Sequence, residues 1–414
     1  MTPTVVKAAD AAQFLSFVPR MLGYHPAQSL VVIPFAGARS LGAMRFDLPE
    51  AGSESTDRVA ATVTGMACRL AEADAVAAIA YTDERFQDEG RMPRRDLFAA
   101  LEGRADACGL RVTDLLCVAA DGWGSFRDRD CPGEGRPLGE LDWAGPGGVP
   151  EPAEHQGSGS ELPAPSAEER DRVAKAVGSL GRAVAVLCGP DAGDPADAAS
   201  AAGDAPEEGE VAGDLGPVPA SVSGEPEDEA SVTDAPDRVD PRALATVCRF
   251  DDLPGFFEDV LTWPPTDPDP YDAAALVWCL ARPSLRDVAL VQWSGTVIDG
   301  DEAFEAQLRW ESGEEYPAHL AMRMWGEGDP PEIARLEAAL ALARHAAAVA
   351  PRELRPGPLA MCAWLSWALG RSTHAGAYAE LACEIEPEHG LSQIVLSFVQ
   401  AGHLPDWAFR RAAR

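Results

Sequence analysis

The chain reads as a mixed α+β protein. It has an N-terminal α/β domain with a small mixed sheet, an acidic disordered insertion, and a C-terminal all-α domain ending in a tetratricopeptide-like helical hairpin. Three observations predict this. Short apolar runs of strand length alternate with helical periodicities up to about residue 120. From Pro241 onward nearly every periodic segment spaces its apolar residues as a helix does. Between these halves, residues 189–237 hold fourteen Asp or Glu, no Lys or Arg, and no aromatic side chain. Too little apolar surface is available there to offset the entropy of ordering, and like charges extend such a tether. The expected domains are 1–188, loop-rich over 122–165, then the linker 189–237, then 238–414.

Residues 10–22 predict the first helix. Asp10 and Gln13 have N-cap and capping-box spacing, and Phe14, Leu15, Phe17, Val18, Met21 and Leu22 form one apolar face. Pro19 lacks an N–H and is expected to divide or kink it. SLVVIPF and LGAMRFDL, separated by AGARS, predict two strands joined as a hairpin. In the second strand Met44 and Phe46 alternate with Arg45 and Asp47, so the two charges share a face. A helix over 56–73, the strand AVAAIAYT, a helix over 94–108 and the strand VTDLLCVAA complete the α/β pattern. Ser166 and Glu169 then open a helix expected to run to Leu180.

In the second half the periodicity predicts helices over 241–262, 270–293, 300–311, 331–349, 358–370, 374–385 and 390–401. Gly370, Ala375, Ala382 and Pro387 follow at gaps of five, seven and five, the spacing of a tetratricopeptide hairpin. Gly ends the first helix, small Ala residues allow close approach, and Pro closes the second. Ala339, Ala346 and Pro351 reproduce part of that spacing at an offset of 36 residues, near the repeat of about 34.

The net charge of −33 repels phosphate backbones and anionic lipid surfaces, so neither nucleic acid nor membrane is an expected partner. Nine cysteines, none at CxxC spacing, fit a reducing cytosol better than a disulfide framework. Cys68, Cys117, Cys279, Cys362 and Cys383 lie inside apolar runs and are expected to behave as small buried hydrophobes. No signal-peptide pattern or membrane-length apolar run is read, and a cytoplasmic location is expected. No phosphate-binding loop or strand-linked GxGxxG occurs, and GPGG at 145–148 reads as a plain loop. The seven histidines stand singly, so no metal site and no cofactor is implied.

Two groups of candidate residues remain. His25, Ser29, Arg45 and Asp47 gather near the first hairpin. They admit a nucleophile–base–orienter reading or a small-ligand face, against a plain one of turn, backbone caps and ion pair. No GxSxG elbow surrounds Ser29. Trp364, Trp367 and Tyr378 in the last helices are candidates for lining a partner groove, with core packing as the alternative.

The strings LGYHPAQSLVVIP, GAMRFDLP, GSFRDRDCPGEGRPL, RMWGEGDPPEIARL and LAMCAWLSWALGRS resemble a family of cytoplasmic proteins of high-GC Gram-positive bacteria, the domain of unknown function numbered 4192. The resemblance covers about 10–140 and 240–405; it implies an architecture and no chemistry, and the acidic stretch stands out as an insertion. The functional expectation is a non-enzymatic interaction or scaffold protein using its helical C-terminal half. The alternative is a small-molecule-binding protein or hydrolase-like enzyme using the His25, Ser29, Arg45, Asp47 face.

Overall fold

The computed structural model describes residues 7–50, 54–142, 149–189, 238–264, 266 and 268–410. The architecture is mixed α+β, with a small mixed sheet near the N-terminus and helices through the C-terminal half. The acidic run 190–237 and the loop 145–148 lie outside the described residues. Contacts divide the chain into two compact units. One is Met1–Glu161 with Gly370–Ala377 and Leu396–Arg414; the other is Leu162–Leu369 with Tyr378–Val395.

In the first unit, helix α1 (Ala11–Leu22) starts at Asp10, whose carboxylate accepts the Gln13 N–H at 2.9 Å. The Gln13 side chain reaches back to the Ala9 N–H at 3.1 Å, one residue before the cap. Pro19 does not divide the helix. It sits in the last turn, where its carbonyl takes the N–H of left-handed Gly23.

The sheet comprises β1 (Ser29–Ala36), β2 (Arg39–Ser40), β3 (Met44–Asp47), β4 (Ala75–Tyr81), β5 (Arg111–Val118) and β6 (Trp123–Ser125). Its order is β2-β1-β4-β5-β6, with β3 also on β1; β4 and β5 are parallel and the other pairs antiparallel. The hairpin expectation is met by β1 and β3, with β2 as a small extra strand in the connection. Strand β6 and the one-turn helix α3 (Phe86–Glu89) are too short to show a period in sequence.

Helices α2 (Glu54–Arg69) and α4 (Arg95–Ala107) cover one sheet face, burying Val63, Ala67, Phe98 and Leu101 against Leu30, Val32, Ala78 and Leu115. Leu15 and Val18 of α1 cover the other face over Val31, Ile33, Ile79 and Leu116. A terminal 3₁₀ turn, Asp406–Phe409, returns to this unit: Arg69 pairs with Asp406 at 2.5 Å, and its guanidinium lies 4.0 Å above the Phe409 ring.

The second unit opens with α5 (Ala167–Cys188), capped by Ser166 onto the Glu169 N–H at 3.1 Å. It runs past Leu180 because Ala183 and Val184 are buried with Ala243, Val247 and Trp278. This helix, which sequence position attaches to the front half, therefore packs among the later helices, against α6 (Pro241–Val247) and α8 (Pro270–Leu280). The expected helix 241–262 is three pieces: α6, a 3₁₀ turn at Cys248–Asp252, and α7 (Leu253–Val260), which Asp252 caps onto the Gly255 N–H. The expected helix 270–293 breaks before α9 (Pro283–Ser294), since a proline forces the preceding Arg282 into extended backbone (φ −108, ψ 120).

Helix α10 (Val297–Glu311) begins with a Thr296–Asp299 capping box, and α11 (Ala318–Met324), a helix outside the periodic segments, is seven residues long. The helices α12 (Ile333–Val349), α13 (Pro356–Ala368), α14 (Ser372–Cys383) and α15 (Gly390–Ala401) fall where periodicity places them. Every residue of α13 is buried. It packs on α12, α8 and α9, and a Cβ on Gly357 would collide with the Leu280 carbonyl.

Cys117, Cys279 and Cys362 are buried as expected, but Cys68 is exposed and Cys383 only partly covered. Cys68 follows buried Ala67 and so points to the solvent side of α2. Among the described residues no helix is long and apolar enough to cross a membrane, and no group of three or more His, Cys, Asp or Glu is placed to hold a metal ion.

Candidate functional site

Because β1 runs against β3 and β4, its beginning meets their ends and the end of β5. One row across the sheet therefore reads Asp47, Ser29, Tyr81, Val118, Trp123, and the next reads Arg45, Val31, Ile79, Leu116, Ser125. Registered neighbours share a face, so all of these lie on the α1 side. The carboxyl ends of parallel strands are the usual place for a ligand in an open α/β sheet.

The four residues singled out from sequence are only partly brought together. Ser29 is fully buried, donates its hydroxyl to the Ala27 carbonyl at 2.7 Å, and accepts from Arg45 Nε at 2.8 Å. Arg45 also pairs with Asp47 at 2.7 Å; the arginine side chain is 13% exposed and the aspartate 81%. His25 is held by its backbone N–H, which donates to Ala153 at 3.0 Å, and is itself exposed. The serine hydroxyl therefore meets an arginine, which can only donate, instead of a base. A nucleophile–base pair is not formed; Arg45 is instead held between Ser29 and Asp47.

The structure adds groups that sequence spacing did not show. The Tyr81 hydroxyl and the Trp123 indole N–H stand in the same row as Ser29, are buried, and have no hydrogen-bond partner among the described residues. Burial pushes the Tyr81 phenol strongly upward, and burial raises Tyr24 as well, against the opposing pull of Arg45. Gln28, just before β1, holds a left-handed φ of 43 unusual for a non-glycine residue. Its carbonyl takes the Leu48 N–H at 3.0 Å, and its side chain takes the Asp83 N–H at 3.3 Å. Gln156 brackets Ala27, accepting from its N–H at 2.9 Å and donating to its carbonyl at 3.1 Å.

Arg94, likewise left-handed at φ 63, ties Glu84 (2.8 Å) to the Pro49 carbonyl. Asp121 accepts the Phe86 and Gln87 N–H groups; burial works to raise its carboxyl, and these bonds together with Arg85 leave it lowered. The segment GSFRDRDCPGEGRPL wraps this end: Arg136 exchanges backbone bonds with Trp123 (2.9 and 2.7 Å) and pairs with Asp128 at 2.8 Å. Glycine is needed at 124, where a Cβ would lie 2.6 Å from the Cys131 sulfur.

On the helical unit, Trp364, Trp367 and Tyr378 do not line an open groove. Their exposures are 0, 0 and 1%. The Trp364 and Trp367 rings lie 6.0 Å apart, tilted at 57°, and the Trp364 indole donates to the Met324 carbonyl at 2.9 Å. They are core because α13 carries apolar residues all round.

Exposed apolar side chains lie elsewhere, and a group of them falls on the α10–α11 region: Ile298 (73%), Leu308, Trp310, Met322, Trp325 and, beyond it, Ile333. His319 meets Glu302 at 2.9 Å and Arg323 Nε meets Ser294 Oγ at 3.0 Å, so α11 runs back along α10. Ile298 then falls level with the Met322–Trp325 end of α11. Around it residues 297–315 carry seven Asp or Glu and one Arg.

One family profile, the Domain of unknown function (DUF4192), matches residues 12–406. The chain belongs to the DUF4192 family. Searches of the curated proteins and of the solved structures each found no match. The DUF4192 match spans the residues of the sheet-end cluster as well as those of the α10–α11 surface.

Proposed function

We propose that this DUF4192 protein is a non-enzymatic cytoplasmic interaction protein that receives a basic, amphipathic helical segment of a partner on its α10–α11 surface. The strings shared with the family support a source among high-GC Gram-positive bacteria. The observations that carry the reading are the exposed apolar side chains Ile298, Met322 and Trp325 and the seven Asp or Glu within residues 297–315. Exposed apolar side chains gain by burial, and the seven acids favour Lys and Arg around the apolar stripe of the incoming helix. The spacing of Gly370, Ala375, Ala382 and Pro387 supports a tetratricopeptide-like frame in the last helices.

The test is titration of the full chain with a labelled Leu/Lys amphipathic peptide, beside an acidic peptide with the same apolar stripe. Saturable binding of the basic peptide only, weakened about tenfold by Ile298→Asp and by added salt, is expected. Equal binding of both peptides, or no effect of Ile298→Asp, would refute it.

A second reading has its own observation: the buried Tyr81 hydroxyl and Trp123 N–H, without a hydrogen-bond partner among the described residues and on the same sheet face as Arg45, suit a small ligand rich in carboxylate or carbonyl oxygen. Thermal stabilisation by such a molecule, lost in Arg45→Ala, would support it.

A further inference from the structure

Helices α2 and α4 end side by side. Strands β3, β4 and β5 run in one direction and are linked in turn through these two helices, which therefore both run back along the sheet and finish at the same end. Ala67 at the end of α2 and Ala105 at the end of α4 are 0 and 2% exposed and border one internal void of about 10 Å³. Small residues at both positions let the helix ends approach. The thiols that follow are Cys68, still on α2, and Cys108, the residue capping α4. Both are free and exposed. The two side chains interact: the Cys68 thiol is raised first by burial and then by Cys108.

We propose that Cys68 and Cys108 form a redox-reactive dithiol that a low-molecular-weight disulfide of the glutathione type closes into an intramolecular disulfide. Cys108 loses its proton to solvent and its thiolate attacks one sulfur of the small disulfide, breaking that S–S bond. The first small thiolate leaves and takes up a proton. Cys68 then gives up its proton and attacks the Cys108 sulfur of the mixed disulfide, expelling the second small thiolate, which is protonated in turn. The protein dithiol loses two electrons and two protons, and the small disulfide becomes two thiols. Buried Cys117, whose thiol is pushed up to about 12 mainly by burial, takes no part.

The product staples α2 to α4 at the end opposite the polar row of the sheet. The experiment treats the full chain with oxidised glutathione, quenches with a thiol alkylator, and maps the peptides by mass. The expected result is a cross-linked peptide pair holding Cys68 and Cys108, a loss of two titratable thiols, and a rise in Tm of several degrees that dithiothreitol reverses. Cys68→Ser and Cys108→Ser should each accumulate glutathione on the remaining cysteine and show no cross-link. Glutathione on both residues of the unaltered chain without a cross-link, or disulfides only between molecules, would overturn the proposal.

Discussion

His389 is buried to 7% exposure, with its Nε2 3.4 Å from Arg286 Nη1 and its Nδ1 2.9 Å from Ser392 Oγ. Burial first, and then the Arg286 charge, hold the imidazole neutral and bring its pKa down to about 4. Arg286 in turn pairs with Asp287 at 2.9 Å. The folded ring resists a proton that the unfolded chain accepts below its ordinary value of 6.5. Stability from this group is therefore complete above pH 6.5, falls as the pH drops from 6.5 to 4, and is flat below that. The span is on the order of 3 kcal/mol. Urea unfolding across that range checks it: His389→Asn should flatten the slope, and an unchanged slope would mean that other groups carry it. Nothing in the sequence distinguishes His389 from the other six histidines, because the arginine facing it lies 103 positions away.

Element by element, the short-range signals performed as their chemistry dictates. Asp10, Ser166 and Thr296 cap the helices they precede, each by a bond to a backbone N–H three residues on. Proline acted by position: Pro19 is tolerated in a last turn, whereas Pro283 separates α8 from α9. What the period could not show is how closely α13 approaches α8. Propensity alone favours Ala over Gly within a helix by about 1 kcal/mol. At Gly357 the added methyl would meet the Leu280 carbonyl, which is backbone and cannot step aside. Gly357→Ala should therefore destabilise by about 2–4 kcal/mol in chemical denaturation. A neutral or stabilising result would show that α13 can slide.

At the scale of the molecule the dominant quantity is a net charge of −33 on 414 residues. Self-repulsion of that size works against any compact state, and salt screens it over a Debye length of about 8 Å at physiological strength. Tm should rise from low to physiological sodium chloride, and a flat or falling curve would show that local ion pairs such as Arg335–Glu258 (2.5 Å) outweigh the net repulsion. The same charge predicts that docking of a basic segment weakens as salt rises, so stability and binding should move in opposite directions.

Composition and period determined the class: a front half of strands and helices, a helical rear half, and the side of β3 that carries Arg45 and Asp47. These are local facts, set by side-chain alternation and by the geometry of one turn. Only the tertiary structure decided that Trp364 and Trp367 are core, that Ser29 faces an arginine, that Tyr81 and Trp123 share its row, and that Cys68 lies beside Cys108. Each depends on which distant segments share an interface, and a residue's own neighbours in sequence carry no record of what packs across from it.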